Sequence, residues 1–429
     1  MSLIPTAYQL RTFSSGRVFD DDGWILEDKE CKEPSLVRAI YEKKQLILRE
    51  PINGLYIFAD WLPVYRMLSG SNPPVTYKSD GLAKKLGLSD LHITFSGYFP
   101  EKGAHMKSCS FKETEAYSIL GRYPDRFSGR VLVVQSAGNT GRAFARVCSE
   151  NKIPLLLCVP YDNISALWND KEYDPCVKLV CSAPGSDYFD AIHLGNIIAK
   201  SPKFVAEGGA KNVARRDGMG TTVLSACTTI GAIPDFYFQA IGSGTGAIAA
   251  WEANLRLIED GRFGSNKMRL VCSQNTPFLP MFDAWKTRSR EITKLSDEEF
   301  RNQAHEICAK VLSNRNPPYG IKGGLFDALC DTDGLILAAN NSEAEEAAKL
   351  FIETEGIDIH PAAAVATATL IQAVEKGIVK KGDKIMLNIT GGGEERFKKE
   401  HKLFFLKPSI VFPLVLSEQF VLPQVENLF

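Results

Sequence analysis

The chain predicts a two-lobed α/β fold built on twisted, mainly parallel sheets, and three observations carry that prediction. Short apolar runs alternate with amphipathic helical stretches from residue 61 onward, the signature of repeated strand–helix–strand units. A length of 429 residues suits two or three domains. Small and polar residues gather just beyond several apolar runs, where open parallel sheets bind ligands.

Taken in order, residues 1–50 are polar and turn-rich, with DDDG at 20–23 breaking two weak strand-like runs. RVLVVQ (130–135) reads as a buried strand, and a glycine-containing turn leads into a helix over 141–151. IPLLLCV (153–159) and VKLVC (177–181) read as further buried strands, with helical spacing over 188–200. FYFQAI (236–241) is a strand, followed by GSGTG and a long helix over 247–260. Residues 268–273 and 334–338 are strands, the second leading into a helix over 342–355. A helix over 361–376 carries proline at its first position, where the missing N–H costs nothing. KIMLNI (384–389) is the last strand. Residues 276–330, irregular and charged, read as a helical insertion on the α/β body. The expected division is an N-terminal segment (1–50), a larger domain (51–118 with 202–429) and a smaller α/β domain (119–201).

Fifty Lys plus Arg against 51 Asp plus Glu give a formal charge of −1. That balance argues against a nucleic-acid binder and against a polybasic membrane-surface protein. At 45% hydrophobic and 24% charged residues, disorder, collagen-like repeats and a coiled-coil rod are excluded. The ten cysteines include no Cys-x-x-Cys pair, the start MSLIPTAYQLR lacks a secretory pattern, and no apolar run is long enough to span a membrane. A cytoplasmic protein with reduced thiols is the expectation.

Four places carry possible chemistry. Ser110-Phe111-Lys112 opens a helical run. A lysine at a helix start meets the positive end of the dipole, which favours the free amine needed for Schiff-base formation. Ser136-Ala137-Gly138-Asn139-Thr140-Gly141 follows a strand, and its backbone amides can grip a carboxylate. Gly242-Ser243-Gly244-Thr245-Gly246 lets backbone approach a phosphate at a helix N-terminus. It is neither a P-loop nor G-x-G-x-x-G. Thr390-Gly391-Gly392-Gly393 puts a hydroxyl at a strand end, where it could face a flat heterocycle.

In this order S-F-K, S-x-G-N-T, GSGTG and T-G-G-G resemble the motif series of the fold type II pyridoxal-phosphate (PLP) enzymes, the tryptophan-synthase-β fold, across about residues 61–398. The resemblance implies that Lys112 bears the cofactor pyridoxal 5′-phosphate and that Asn139 hydrogen-bonds its 3′-oxygen. It implies too that residues 242–246 hold the cofactor phosphate and that Thr390 faces the pyridine nitrogen. A hydroxyl there leaves the ring a weaker electron sink than a carboxylate would, suited to proton loss coupled to departure of a β-substituent.

Within that class the chain is most similar to the threonine-synthase-like enzymes. Asn212-Val213-Ala214-Arg215-Arg216-Asp217-Gly218 is similar to their Asn-x-x-Arg-x-x-Gly segment, which implies Asn212 and Arg215 as partners of a phosphorylated amino acid. The N-terminal residues resemble a zinc ribbon whose four ligand positions here read Thr12, Ser15, Asp28 and Cys31. One thiol of four does not make a zinc site, so a metal-free ribbon-like appendage is expected.

The loop GYFPEKGAHMKSCSFK (97–112) is longer than usual in these enzymes and adds Lys102, His105 and Lys107, cations that suit a small anionic co-substrate. That loop, with EGGAKNVARRDGMGTT and FQAIGSGTGAIAAWEA, is similar to the cysteate-forming members. The implied reaction is β-replacement on O-phospho-L-serine by sulfite, giving L-cysteate for coenzyme M biosynthesis in a methanogen. A homodimer is implied as well, with the apolar 403–429 tail as a candidate crossover or interface arm.

Other readings are a threonine synthase acting on O-phosphohomoserine and an O-phosphoserine sulfhydrylase using sulfide. A silent PLP-binding regulator is opposed by the presence of Lys112. A nicotinamide oxidoreductase would need an acidic ribose-binding residue that Met268-Arg269-Leu270 does not supply.

Overall fold

The computed structural model describes residues 5–49, 52, 54–136 and 138–429. Its apolar runs form two sheets. The smaller runs Phe204–Ala206, Val131–Gln135, Leu155–Pro160, Val177–Ser182, Ile410–Phe412 in spatial order, every pair parallel. Strand periodicity sends alternate residues to opposite faces. Leu132 and Val134 pack with Val147 and Cys148 of the helix Asn139–Asn151. Val131 and Val133 pack with Leu194 and Ile198 of the helix Tyr188–Ile198, and with Val421 and Val425 of the helix Glu418–Glu426. A sheet covered on both faces needs near-continuous apolar strands, which is why Leu155–Pro160 is buried throughout.

The larger sheet runs Leu335–Ala339, Arg269–Asn275, Phe236–Ala240, Lys384–Ile389, Asp90–Phe95, Val75–Lys78. All pairs are parallel except the last, an antiparallel edge. Phe238, Val271 and Leu387 meet Val365 and Leu370 of the alanine-rich helix Pro361–Glu375. Tyr237, Leu270 and Met386 face the other way, toward Leu224 of the helix Val213–Ile230 and Ile248 of the helix Thr245–Asp260. Each such fully buried aliphatic or aromatic side chain stabilises the fold by about 1.5–3 kcal/mol.

The N-terminal residues form a three-stranded antiparallel sheet, ordered Val18–Phe19, Tyr8–Thr12, Val37–Tyr41. Thr12 Oγ1 donates to Asp28 Oδ2 at 2.6 Å, and Ser14 Oγ lies 3.3 Å from Cys31 Sγ. This sheet is tied to the larger lobe by Tyr41, whose hydroxyl donates to Asp217, and by Leu36 N donating to Lys322 O.

Several sequence expectations change. Strands Phe204–Ala206 and Ile410–Phe412 pair into the smaller sheet, although the expected boundaries put both in the larger domain. The strand Asp90–Phe95 escapes the sequence reading because Asp, His and Thr interrupt it; Asp90 and His92 satisfy each other at 2.8 Å. The 403–429 tail, expected as a crossover or interface arm, packs on its own chain: Phe404–Phe405 pairs with Trp168–Asn169, and the strand Ile410–Phe412 and helix Glu418–Glu426 join the smaller lobe. Among the described residues no helix is long and apolar enough to cross a membrane. All ten cysteines are free thiols, and burial pushes those of Cys227 and Cys272 up to about 12, which keeps them unreactive.

Candidate active site

The cleft between the lobes holds a cavity of about 130 Å³ that opens to solvent. Its walls bring together Lys112, Ser136, Gly138, Asn139, Thr140, Arg215, Gly242, Ser243, Gly244, Gly246 and Thr390. Ala137 lies outside the described residues. Strand order explains the convergence: the ends of Val131–Gln135, Phe236–Ala240 and Lys384–Ile389 feed three of the four polar turns into one crevice.

Lys112 begins the helix Lys112–Arg122. The segment before it is fastened to the Thr390 turn, since Phe111 N donates to Thr390 O (2.9 Å) and Gly392 N to Cys109 O (3.2 Å). That lattice fixes Lys112 and Thr390 as neighbours across the cavity floor. Burial lowers the lysine's proton affinity most; Glu115 works against this and Arg215 with it, so its pKa falls below the usual lysine value. Desolvation is thus the largest cause of the shift.

Ser136 Oγ accepts from Gly138 N (3.0 Å) and Gly141 N (2.7 Å), which makes it the organiser of its turn. Asn139 Oδ1 accepts from Arg142 Nη2 at 2.9 Å, so its amide N–H groups are what it can offer a ligand. Arg142 is itself clamped by Ser108 O, Ala166 O and Glu394.

At the third turn Gly244 takes φ +77°, a conformation favouring glycine. The helix Thr245–Asp260 starts there with no side-chain cap. Of its opening N–H groups, Thr245 N donates to Ser243 Oγ (3.3 Å) and Ala247 N to Gly244 O (3.1 Å), while that of Gly246, which lines the cavity, is left for an anion. Thr245 does not line the cavity; its hydroxyl lies 2.8 Å from Ser243 Oγ, behind the loop. A lysine of lowered pKa, an uncapped Gly-rich helix start and a neutral hydroxyl opposite are the donor set that a phosphorylated aldehyde heterocycle requires, so the residues fit PLP.

Four expected ligand residues stand elsewhere. Asn212 is fully buried and caps the helix Val213–Ile230: its Oδ1 accepts from Ala214 N (3.1 Å) and Arg122 Nη1 (2.8 Å), and its Nδ2 donates to Glu207 O (2.8 Å). Its amide is already engaged, and it does not reach the cavity. Lys107 is drawn away by Asp170 at 3.0 Å, Lys102 lies over the Tyr77 ring, and His105 is exposed. None of these three lines the cavity.

Arg215 does reach it, but between two carboxylates: Glu115 at 3.0 Å and Glu207 at 2.5 Å. The sequence reading missed both acids. Glu115 was accessible through its i,i+3 spacing from Lys112; Glu207 had no local signal. His360, at the start of the helix Pro361–Glu375, also lines the cavity and lies 2.9 Å from Glu394. Burial alone would raise the Glu394 carboxyl, but His360, Arg142 and Lys398 outweigh it and hold it well below the usual range.

Residues 98–391 match the family model described as pyridoxal-phosphate dependent enzyme. Maize serine racemase superposes with a TM-score of 0.57 at 14% identity, over 74% of this chain and 88% of its own. A PLP-dependent aspartate racemase superposes at 0.54 and 15%, over 76% and 92%. The chain therefore belongs to the pyridoxal-phosphate-dependent enzymes and has their fold type II architecture. It is 49% identical over 402 residues to the cysteate synthase of Methanosarcina barkeri, covering 94% of this chain and 95% of that one. It is 50% identical over 385 residues to that of Methanocella arvoryzae, covering 89% and 91%. Within the class, it belongs to the cysteate synthase family.

Proposed function

We propose that this enzyme replaces the phosphate of O-phospho-L-serine with sulfite, releasing L-cysteate and inorganic phosphate, and that it feeds coenzyme M biosynthesis in the cytoplasm as a homodimer. The observation that carries this reading is the meeting of Lys112, Asn139, the 242–246 turn and Thr390 in one cavity, in a chain about half identical to cysteate synthases. The N-terminal sheet is read as a metal-free ribbon, with the Thr12–Asp28 hydrogen bond where a metal would otherwise cross-link it.

When bound, the cofactor supplies the electron sink that lets Cα lose a proton and Cβ lose its phosphate. The protein's share is binding, orientation and proton handling. Lys112 Nζ would hold the cofactor until the substrate amine takes its place. It then removes the Cα proton, a task its lowered pKa suits. After the Cβ–O bond breaks and the sulfite sulfur bonds to Cβ, the same nitrogen returns the proton. The 242–246 turn opening the helix Thr245–Asp260 would hold the cofactor phosphate, and the Asn139 amide N–H, its oxygen being taken by Arg142, would be the donor to the ring's 3′-oxygen. The amides of Asn139 and Thr140, next to the Gly138 N–H that Ser136 Oγ already holds, would orient the substrate carboxylate, and the Arg215 guanidinium, held between Glu115 and Glu207, reaches the cavity edge where the phosphate departs.

Incubation with phosphoserine plus sulfite, and separately plus sulfide, while following phosphate and the amino-acid product, tests the assignment. Cysteate formed with sulfite-dependent phosphate release is expected. Cysteine from sulfide with no cysteate would overturn it in favour of a sulfhydrylase. Lys112→Ala is expected to lose the yellow absorbance of the bound cofactor; a variant that keeps both colour and turnover would remove Lys112 from its role.

A further inference from the structure

Glu115 is a carboxylate that the reaction as written does not use. It lies fully buried just behind the wall of a cavity that takes anions, one helical turn from Lys112. Its Oε2 is 3.3 Å from Lys112 Nζ, and its Oε1 accepts from Thr140 Oγ1 at 3.1 Å. Arg215 Nη1 lies 3.1 and 3.0 Å from its two oxygens. Two cations offset the cost of burying this charge, and all three partners line the cavity while Glu115 does not. Glu207 differs: it grips Arg215 and the backbone N–H of Gly209, with no contact to Lys112.

We propose that Glu115 is the positioning residue of the reactive lysine, a single buried carboxylate that ties Lys112 Nζ, Thr140 and Arg215 together and favours the protonated over the neutral Lys112 nitrogen. The inference rests on Lys112 as the cofactor-bearing residue. Burial disfavours the charged lysine most, Arg215 adds to that, and Glu115 opposes both, with a smaller contribution from Glu207. Removing the Glu115 charge leaves Arg215 facing Lys112 with only Glu207 to balance it.

The test is a pH titration of the visible absorbance of the full-length holoenzyme, which follows the proton on the Lys112 nitrogen without any substrate present. In Glu115→Gln, which keeps the size and loses the charge, the yellow form is expected to fade at lower pH. The expected change is about fivefold in proton affinity, equivalent to ~1 kcal/mol. Glu115→Asp restores the charge one methylene short and should fall between the two. Glu207→Gln should move the midpoint less than Glu115→Gln. A Glu115→Gln curve that superposes on the wild type, or an equal or larger shift in Glu207→Gln, overturns the proposal. Should Glu115→Gln fail to fold, Glu115→Asp decides alone: a midpoint below the wild type supports the proposal and an unchanged one overturns it. A wrong substrate pair leaves these curves untouched. Absence of colour in the wild type would fall on the cofactor assignment instead, which borohydride reduction and the mass of the Lys112 peptide read separately.

Discussion

Asn212 shows how one side chain can carry a substrate-binding motif in sequence and a structural task in the fold. Its three hydrogen bonds cap a helix, satisfy buried Arg122 and close on the Glu207 carbonyl. Replacing it with alanine removes the cap and leaves buried groups unpaired, a loss of about 2–4 kcal/mol. The expected result for Asn212→Ala is a lower urea midpoint, with the KM for phosphoserine changed less than about twofold in the folded fraction. A large rise in KM at unchanged stability would return Asn212 to the substrate. Lys112, Asn139 and Thr390 were legible in sequence because each sits in a local motif of a few residues. The Glu115–Arg215–Glu207 cage was not, because Glu115 meets Arg215 across 100 residues of chain and Glu207, eight residues before Arg215, stands in no local motif with it.

At the scale of elements, the strand-to-helix turns were readable and their neighbours were not. The turn at Gly244 depends on a left-handed backbone, and a Cβ added there would come 2.9 Å from Leu325. Gly244→Ala is expected to cost about 1–2 kcal/mol and to weaken cofactor retention on gel filtration. The loop bearing Lys107, expected to attract a small anionic co-substrate, is tethered to the smaller lobe away from the cavity. Asp170 lies 2.5 Å from Arg146 and 3.0 Å from Lys107, joining loop to smaller lobe. Burial would raise the Asp170 carboxyl, yet Arg146 and Lys107 together lower it from 3.8 to about 2. A depressed folded-state pKa gives stability present above about pH 4 and lost as pH falls toward 2, worth up to ~2 kcal/mol. Asp170→Asn should therefore flatten the acid limb of a pH–stability curve in that window, measured by circular dichroism.

Over the whole molecule, the sequence conveyed the two-lobed architecture and most strand positions, since continuous apolar runs mark strands buried on both faces. What it withheld was which lobe owns a strand. Ile410–Phe412 lies far along the chain from its partner Val177–Ser182, and no local pattern announces that pairing. The helix Glu418–Glu426 covers the same lobe through Val421 and Val425, both fully buried. Val421→Ala should lower the denaturation midpoint by the equivalent of about 1–3 kcal/mol. Saturation with cofactor should survive, because that residue is remote from the cavity.

The late return of the chain to the smaller sheet also orders events during synthesis. The strands Val131–Gln135, Leu155–Pro160 and Val177–Ser182 leave the ribosome early, but the edge beside Val177–Ser182 waits for residues 410–412, made more than two hundred residues later. Until then a parallel strand edge stands open, the kind of surface that invites pairing with another nascent chain. The larger sheet needs nothing beyond residue 389 and can form first. The cleft is thus finished only when the last strand and helix dock, so a polypeptide stalled short of residue 410 would carry Lys112 and Thr390 without the covered lobe that faces them.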